Sequence, residues 1–317
     1  MTRYAAIDCG TNAIRLLIAD VFDGHLAEVE RRMLTVRLGE GVDATGEFSQ
    51  AALDRTFAAV DEYVADIERF DAREVRMVAT SAARDARNAR EFVEGVRTRL
   101  GIEPEVVTGI EEAELSFVGA VRGLSAASLE CGSLDSPILV ADIGGGSTEF
   151  VLGDGSTLLT TARYSVDVGC VRMTERYLRD DPPTPAQVAS TVATIDGLLD
   201  EAFARIPVEG IRTFVGLAGS VTTVSALAHG LSTYDPALIH GSVVTSDQVA
   251  AVTERLLTMT RAERAAEPVM HPGRVDVIAG GALVLRQIMR RLPVDSLVAS
   301  ETDLLDGIAY KMAGEVA

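Results

Sequence analysis

Two carboxylates flank three adjacent glycines in Asp142-Ile143-Gly144-Gly145-Gly146-Ser147-Thr148-Glu149. The apolar residues 139–141 lead into this stretch and 150–152 lead out of it, so it reads as strand, tight turn, strand. Glycines lack Cβ, can take positive φ, and can bring successive N–H groups to one point. Such a row of amides cradles an anion and suits phosphate. Asp142 and Glu149 are acidic and repel phosphate. They make chemical sense beside it when a divalent cation stands between. The plainer alternative is an ordinary Gly-rich hairpin, and the paired carboxylates weigh against it.

The same pattern occurs near the start of the chain, over residues 4–21. Asp8 falls on Asp142, Gly10 on Gly144, Asn12 on Gly146 and Asp20 on Asp154, at a constant offset of 134 residues. This is an internal repeat of one structural unit. Two such units present two phosphate-binding turns across one cleft, where ligands commonly sit. Gly10, Thr11 and Asn12 supply amide and hydroxyl donors in the first.

Other candidates sit at strand ends. A short strand over 74–79 runs into Thr80-Ser81-Ala82-Ala83-Arg84, which places Arg84 to hold a phosphate. Arg87 and Arg90 follow at three-residue spacing on the same helical face, and read as solvated partners of Asp85 and Glu94. A strand over 105–107 opens a helix through Glu111, Glu112 and Glu114. Acidic residues in a first turn are ordinary helix-dipole partners, yet one of them at such a junction can act as a general base. Spacing alone does not choose among the three. Gly219 and Ser220, after a strand over 211–215, form a second glycine–hydroxyl turn, suited either to an anion or to packing. His25, His229, His240 and His271 lie far apart without metal-ligand spacing, and none is assigned to catalysis.

These residues need elements to hold them. A strand over 26–38, a helix over 49–69 capped by Ser49, and the strand–helix pairs above complete a first unit. Residues 123–136 are small and polar and read as a linker. A strand over 157–165 follows, then a helix from Gly169 to Tyr177 and another from Thr184-Pro185 to about Arg205. Helices over 245–259 and 274–292, a strand over 294–299 and a helix over 302–313 end the chain.

The 317 residues suit two domains. Net charge is −18, which argues against nucleic acid or any polyanion held by a basic surface; a phosphate ligand then depends on amides, a few arginines and metal. Lys311 is the only lysine. No apolar run has membrane-spanning length and no signal-peptide pattern opens the chain, so a protein of the cytoplasm without membrane association is expected. Cys9, Cys131 and Cys170 are odd in number and widely spaced, which suits unpaired thiols in a reducing compartment.

In this order, Asp8-Cys9-Gly10-Thr11-Asn12, Thr80-Ser81-Ala82-Ala83-Arg84, Thr108-Gly109-Ile110-Glu111-Glu112-Ala113-Glu114-Leu115, Asp142-Ile143-Gly144-Gly145-Gly146-Ser147-Thr148-Glu149 and Gly169-Cys170-Val171 resemble the exopolyphosphatase/guanosine pentaphosphate phosphatase (Ppx/GppA) family. The resemblance covers essentially the whole chain. It implies an α/β fold of the actin/Hsp70/sugar-kinase type, two ribonuclease-H-like domains around a cleft. The domains are expected at 1–125 and 126–301, with a terminal helix over about 302–317 packing back on the first.

Residue by residue, the resemblance makes Glu112 the catalytic base and Arg84 a phosphate ligand. It ties Asp142 and Glu149 to the divalent metal, Mg²⁺ or Mn²⁺, and Glu149 also to the attacking water. Gly144, Gly145, Gly146 and Ser147 match the phosphate loop, Gly10, Thr11 and Asn12 its counterpart, and Gly219 and Ser220 a further phosphate-side turn. Residues 80–84 keep only the arginine of the His-Thr-Leu-Arg form seen in some relatives. Long members carry an extra C-terminal helical domain, absent here, so a preference for short polyphosphate is expected. The implied activity is release of terminal orthophosphate from inorganic polyphosphate by a cytoplasmic enzyme, with a homodimer implied by likeness alone. The alternatives are hydrolysis of pppGpp and non-catalytic sensing of (p)ppGpp or polyphosphate.

Overall fold

A computed structural model describes residues 2–127, 129 and 132–315; Cys131 lies outside them. The chain divides into two compact units, Met1–Gly119 with Leu304–Ala317, and Ala120–Asp303.

The first unit opens with strands β1 (Arg3–Cys9), β2 (Ala13–Phe22) and β3 (His25–Thr35). Helices α1 (Val42–Thr45) and α2 (Gln50–Arg69) lead to β4 (Glu74–Ala79). Helices α3 (Ser81–Asp85) and α4 (Ala89–Leu100), strand β5 (Glu105–Val106) and helix α5 (Gly109–Ala126) follow. The sheet order is β3-β2-β1-β4-β5. The first three strands are antiparallel, and β4 and β5 run parallel to β1. Side chains of β1 alternate between two buried faces. Ala5, Ile7 and Cys9 join a core with residues of α2 and α4. Ala6 joins another with Leu115 and Val118 of α5 and Leu304, Leu305 and Ile308. A central strand covered on both sides is therefore apolar over its buried part, Ala5 to Cys9, with Asp8 the exception.

The second unit begins with β6 (Ile138–Ile143), β7 (Thr148–Gly153), β8 (Thr160–Val166), α6 (Cys170–Tyr177) and α7 (Pro185–Phe203). Strand β9 (Thr213–Leu217), helices α8 (Ala218–Ala228) and α9 (Pro236–Ile239), and strand β10 (Val243–Thr245) come next. The unit ends with α10 (Ser246–Thr258), α11 (Arg261–Ala265), α12 (Ile278–Met289) and β11 (Ser296–Ala299). The last helix, α13 (Leu304–Met312), belongs to the first unit. The sheet order is β10-β11-β9-β6-β7-β8. Without its antiparallel edge strand β10, this is the order of the first sheet.

The repeat is thus written in the backbone. Asp8 pairs across the ladder with Arg15, and 134 residues later Asp142 pairs with Glu149. The Gly10 N–H donates to the Ala13 carbonyl at 3.0 Å, and the Gly144 N–H to the Ser147 carbonyl at 3.0 Å. The chain is an α/β protein of the actin/Hsp70/sugar-kinase type, made of two ribonuclease-H-like units.

Some expectations give way. Arg84, Arg87 and Arg90 do not share a helix: α3 stops at Asp85, Ala86 is extended, and α4 starts at Ala89. Asn88 draws the chain out by exchanging hydrogen bonds with the Phe48 backbone. Arg87 pairs with Glu47 rather than Asp85, whereas Arg90 does pair with Glu94. The linker expected from residue 123 starts later, because α5 continues to Ala126 with Gly123 packed against Thr302. The helix expected from Arg274 starts at Ile278. Among the described residues no helix is long and apolar enough to cross a membrane.

Candidate active site

The turn between β6 and β7 spans residues 144–147, closed by the Gly144–Ser147 hydrogen bond. None of Gly144, Gly145 and Gly146 takes a left-handed φ, contrary to the expectation from their type. A loop this long does not need the positive φ angles of a two-residue hairpin. The local requirement for glycine is close approach. A Cβ on Gly169, which precedes α6, would lie 2.3 Å from the Gly145 carbonyl oxygen. The start of α6 is pressed onto the turn and donates into it. Cys170 N–H meets the Gly144 carbonyl at 3.0 Å, and Val171 N–H meets that of Gly145 at 2.9 Å.

At the mouth of the turn Asp142 and Glu149 stand in cross-strand register, both buried. Glu149 Oε1 accepts from the hydroxyls of Ser147 at 2.8 Å and Ser165 at 2.7 Å. The Ser147 hydroxyl is therefore engaged in orienting a carboxylate, and its main chain is what remains for an anion. Among the described residues no group of three or more His, Cys, Asp or Glu side chains gathers to hold a metal. A cation here would rest on two carboxylates and complete its shell with water or phosphate oxygens.

The first repeat has the same backbone and the opposite charge balance. Arg15 Nη2 lies 2.6 Å from Asp8 Oδ2, so this acid is neutralised by its ladder partner. Thr11 shares a hydrogen bond with Ser81 at 2.8 Å, tying the Gly10-Thr11-Asn12 turn to the start of α3.

The three glutamates of α5 separate. Glu111 accepts from both the N–H and the hydroxyl of Thr108 at 2.9 Å, while its own N–H donates back to that hydroxyl, a capping box. These bonds, led by the Thr108 N–H, hold its carboxyl below the ordinary range. Glu114 lines a small pocket together with Arg76, Leu115 and Lys311. Glu112 is buried and accepts from Arg84 Nη1 at 2.7 Å. The same nitrogen donates to the Val107 carbonyl at 3.0 Å, which fixes the guanidinium between β5 and α5.

In the second unit Leu217, at the end of β9, pairs with Asp142. Gly219 and Ser220 follow at once, in the first turn of α8, and Ser220 lies beside the buried Cys170 thiol. Burial is the main reason that thiol is pushed up. Sequence reasoning missed Arg274. Its guanidinium occupies the space a Gly219 side chain would fill, 2.2 Å from the position of a Cβ, and donates to Thr223 Oγ1 at 2.9 Å. The signal was indirect: a glycine in a first turn leaves room for something larger.

The structure thus collects Asp142, Glu149, Ser147, the glycines and Ser220 in the second unit, and Arg84 with Glu112 in the first. This chain is 49% identical, over 99% of both chains, to exopolyphosphatase 2 of Mycobacterium tuberculosis. Among solved structures, an exopolyphosphatase-like protein superposes with TM-score 0.92 at 42% identity, covering 98% of this chain and 97% of that one. The Aquifex aeolicus Ppx/GppA protein gives TM-score 0.82 at 29% identity, covering 99% and 98%. The model of the Ppx/GppA phosphatase family matches residues 17–316, and the chain belongs to that family.

Proposed function

We propose that this protein is an exopolyphosphatase that removes terminal orthophosphate from inorganic polyphosphate, with short chains preferred. The observation that carries the reading is a charge reversal between two matched turns. Where the first repeat sets Arg15 against Asp8, the second sets Glu149 against Asp142. Two buried carboxylates opposite one another beside an amide turn call for a cation, and a cation there calls for an anion. The full-length likeness to an exopolyphosphatase supports the choice of polyphosphate.

Asp142 and Glu149 fit Mg²⁺ or Mn²⁺, which commonly take one or two carboxylates and keep water or phosphate oxygens. Such an ion, when bound, neutralises phosphate charge and lowers the pKa of coordinated water. The chain's own residues do the rest. The N–H groups of Gly145, Gly146 and Ser147 receive the terminal phosphate, Thr11 and Asn12, in the turn that Gly10 opens, offer a second set of donors, and Gly219 and Ser220 contribute from the first turn of α8. Glu112 accepts the proton of the attacking water. Arg84 orients Glu112 through its 2.7 Å bond and offers its remaining N–H groups to phosphate oxygens. Positioning and charge stabilisation supply most of the acceleration in such transfers. The family resemblance adds a cytoplasmic homodimer, and sedimentation at assay concentration checks the dimer.

The test is phosphate release in Mg²⁺ from short polyphosphate, long polyphosphate and pppGpp in parallel, with Glu112→Ala as control. We expect fastest release from short polyphosphate, and a loss of turnover of roughly a hundredfold or more in the variant with binding retained. Release from pppGpp alone makes the protein a pppGpp phosphohydrolase. Binding without release from any of the three makes it a sensor. Undiminished turnover in Glu112→Ala removes the base.

A further inference from the structure

The three carbonyls of the glycine turn all face one way. Gly144 O accepts from Cys170 N–H at 3.0 Å. Gly145 O accepts from the N–H groups of Val171 at 2.9 Å and Arg172 at 3.1 Å. Gly146 O has no backbone donor of this kind; it accepts from Arg172 Nε at 2.7 Å. In a trans peptide the C=O of one residue and the N–H of the next point in opposite directions. Tying the carbonyls of 144, 145 and 146 to the start of α6 therefore turns the N–H groups of Gly145, Gly146 and Ser147 to the opposite side, together. Among the described residues the N–H groups of Gly145 and Gly146 meet no acceptor. The amide row is aimed by what holds its carbonyls.

The first repeat does the same with backbone donors. Thr11 O accepts from Gly39 N–H at 2.8 Å, and Asn12 O from Val36 N–H at 3.1 Å and Arg37 N–H at 2.8 Å. Thr11 and Asn12 are the repeat equivalents of Gly145 and Gly146. In the second unit a side chain replaces the last backbone donor. Arg172 is 9% exposed, a rare degree of burial for an arginine, and its Nη2 also stands 3.8 Å from Asp167.

We propose that Arg172 is a positioning residue for phosphate transfer. Its Nε–H holds the Gly146 carbonyl, so the Ser147 N–H stays turned into the anion cradle, and the guanidinium adds positive charge behind the turn. The proposal rests on the reading of this turn as the phosphate cradle.

The experiment uses the whole chain with Arg172→Met, which keeps an apolar stem, and Arg172→Gln and Arg172→Lys, which keep a donor. Steady-state kinetics and calorimetric binding of inorganic tripolyphosphate are measured beside thermal unfolding. We expect KM and the tripolyphosphate Kd to rise about tenfold or more in Arg172→Met, the effect of losing one charge-assisted hydrogen bond, and Arg172→Lys to recover part of that loss. A residue that only supports the fold would lower Tm and the active fraction and leave KM unchanged. Folded Arg172→Met with wild-type KM and Kd overturns the proposal and leaves the phosphatase reading intact. Failure of all three variants to fold overturns it too, since the role is then structural. A wild-type chain that neither hydrolyses nor binds tripolyphosphate overturns the cradle itself, and the proposal with it.

Discussion

Arg84 Nη1 donates to both Glu112 Oε2 and the Val107 carbonyl, so one guanidinium nitrogen joins the candidate base to the end of β5. Methionine at this position keeps the stem and removes every donor. It leaves Glu112 buried without the guanidinium that orients it, and takes a cation from the phosphate. Arg84→Met is expected to lower kcat/KM for polyphosphate by roughly a hundredfold, the order seen on removing one preorganised donor. Arg84→Lys should lose less, because charge is kept and planar geometry is not. Activity of Arg84→Met within a factor of about three of wild type would contradict the pairing as a working contact. The neighbouring Glu111 belongs to stability instead. Its folded pKa is depressed below the ordinary 4.5, so its contribution is present above that value and is lost as pH falls through the folded value. Glu111→Ala is expected to reduce unfolding free energy at pH 7 by roughly 0.5 kcal/mol, with a gap from wild type that narrows below about pH 4. Chemical denaturation at several pH values checks this. A gap of constant size in acid means that capping geometry, without charge, is what matters.

At the scale of elements, α13 returns to the first unit and packs on the face of β1 opposite α2. Arg31 of β3 reaches Asp306 of α13 at 2.6 Å, and Gly307 allows the close approach to α5. A Cβ on Gly307 would stand 2.0 Å from the Leu115 carbonyl oxygen, which is backbone and cannot rotate away. Alanine gains about 1 kcal/mol of helix propensity over glycine, but overpacking against a fixed neighbour costs about 1–3 kcal/mol. The second effect wins at this distance. Gly307→Ala should lower Tm by several degrees, and a Tm at or above wild type would show that α13 can shift aside at little cost. Elements such as α2 and α7 were legible because their signals are local: Ser49 and Thr184 cap where their types and spacing say they should. The repeat was legible because a constant offset survives through both hairpins. The break between α3 and α4 was not, since Asn88 acts there through Phe48, forty positions back in sequence. The carboxylates and glycines of the site could be read by type. The hold of Arg172 and the placement of Arg274 could not, because each depends on a loop meeting a helix from elsewhere in the chain.

The molecule as a whole carries 47 acidic against 29 basic side chains. Proteins that hold polyanions on basic surfaces lose affinity steeply as salt rises, because binding releases counterions. This chain should behave otherwise. Its net field repels polyphosphate at long range, while the attraction assigned to the amide turn, Arg84 and a bound cation acts within a few ångströms. Salt screens the long-range part first, since the Debye length is about 30 Å at 10 mM and about 8 Å at 150 mM. At fixed free Mg²⁺, kcat/KM for polyphosphate is therefore expected to hold level or rise about two- to threefold between those ionic strengths, through faster encounter. Short and long chains separate the contributions further, because a longer substrate carries more charge through the same repulsive field and should gain more from screening. Initial rates at subsaturating substrate in a KCl series measure this directly. A steep fall with salt, steeper for long chains, would mean that the approach is locally basic despite the net charge of −18, and that arginines outside the turn and Arg84 carry much of the substrate.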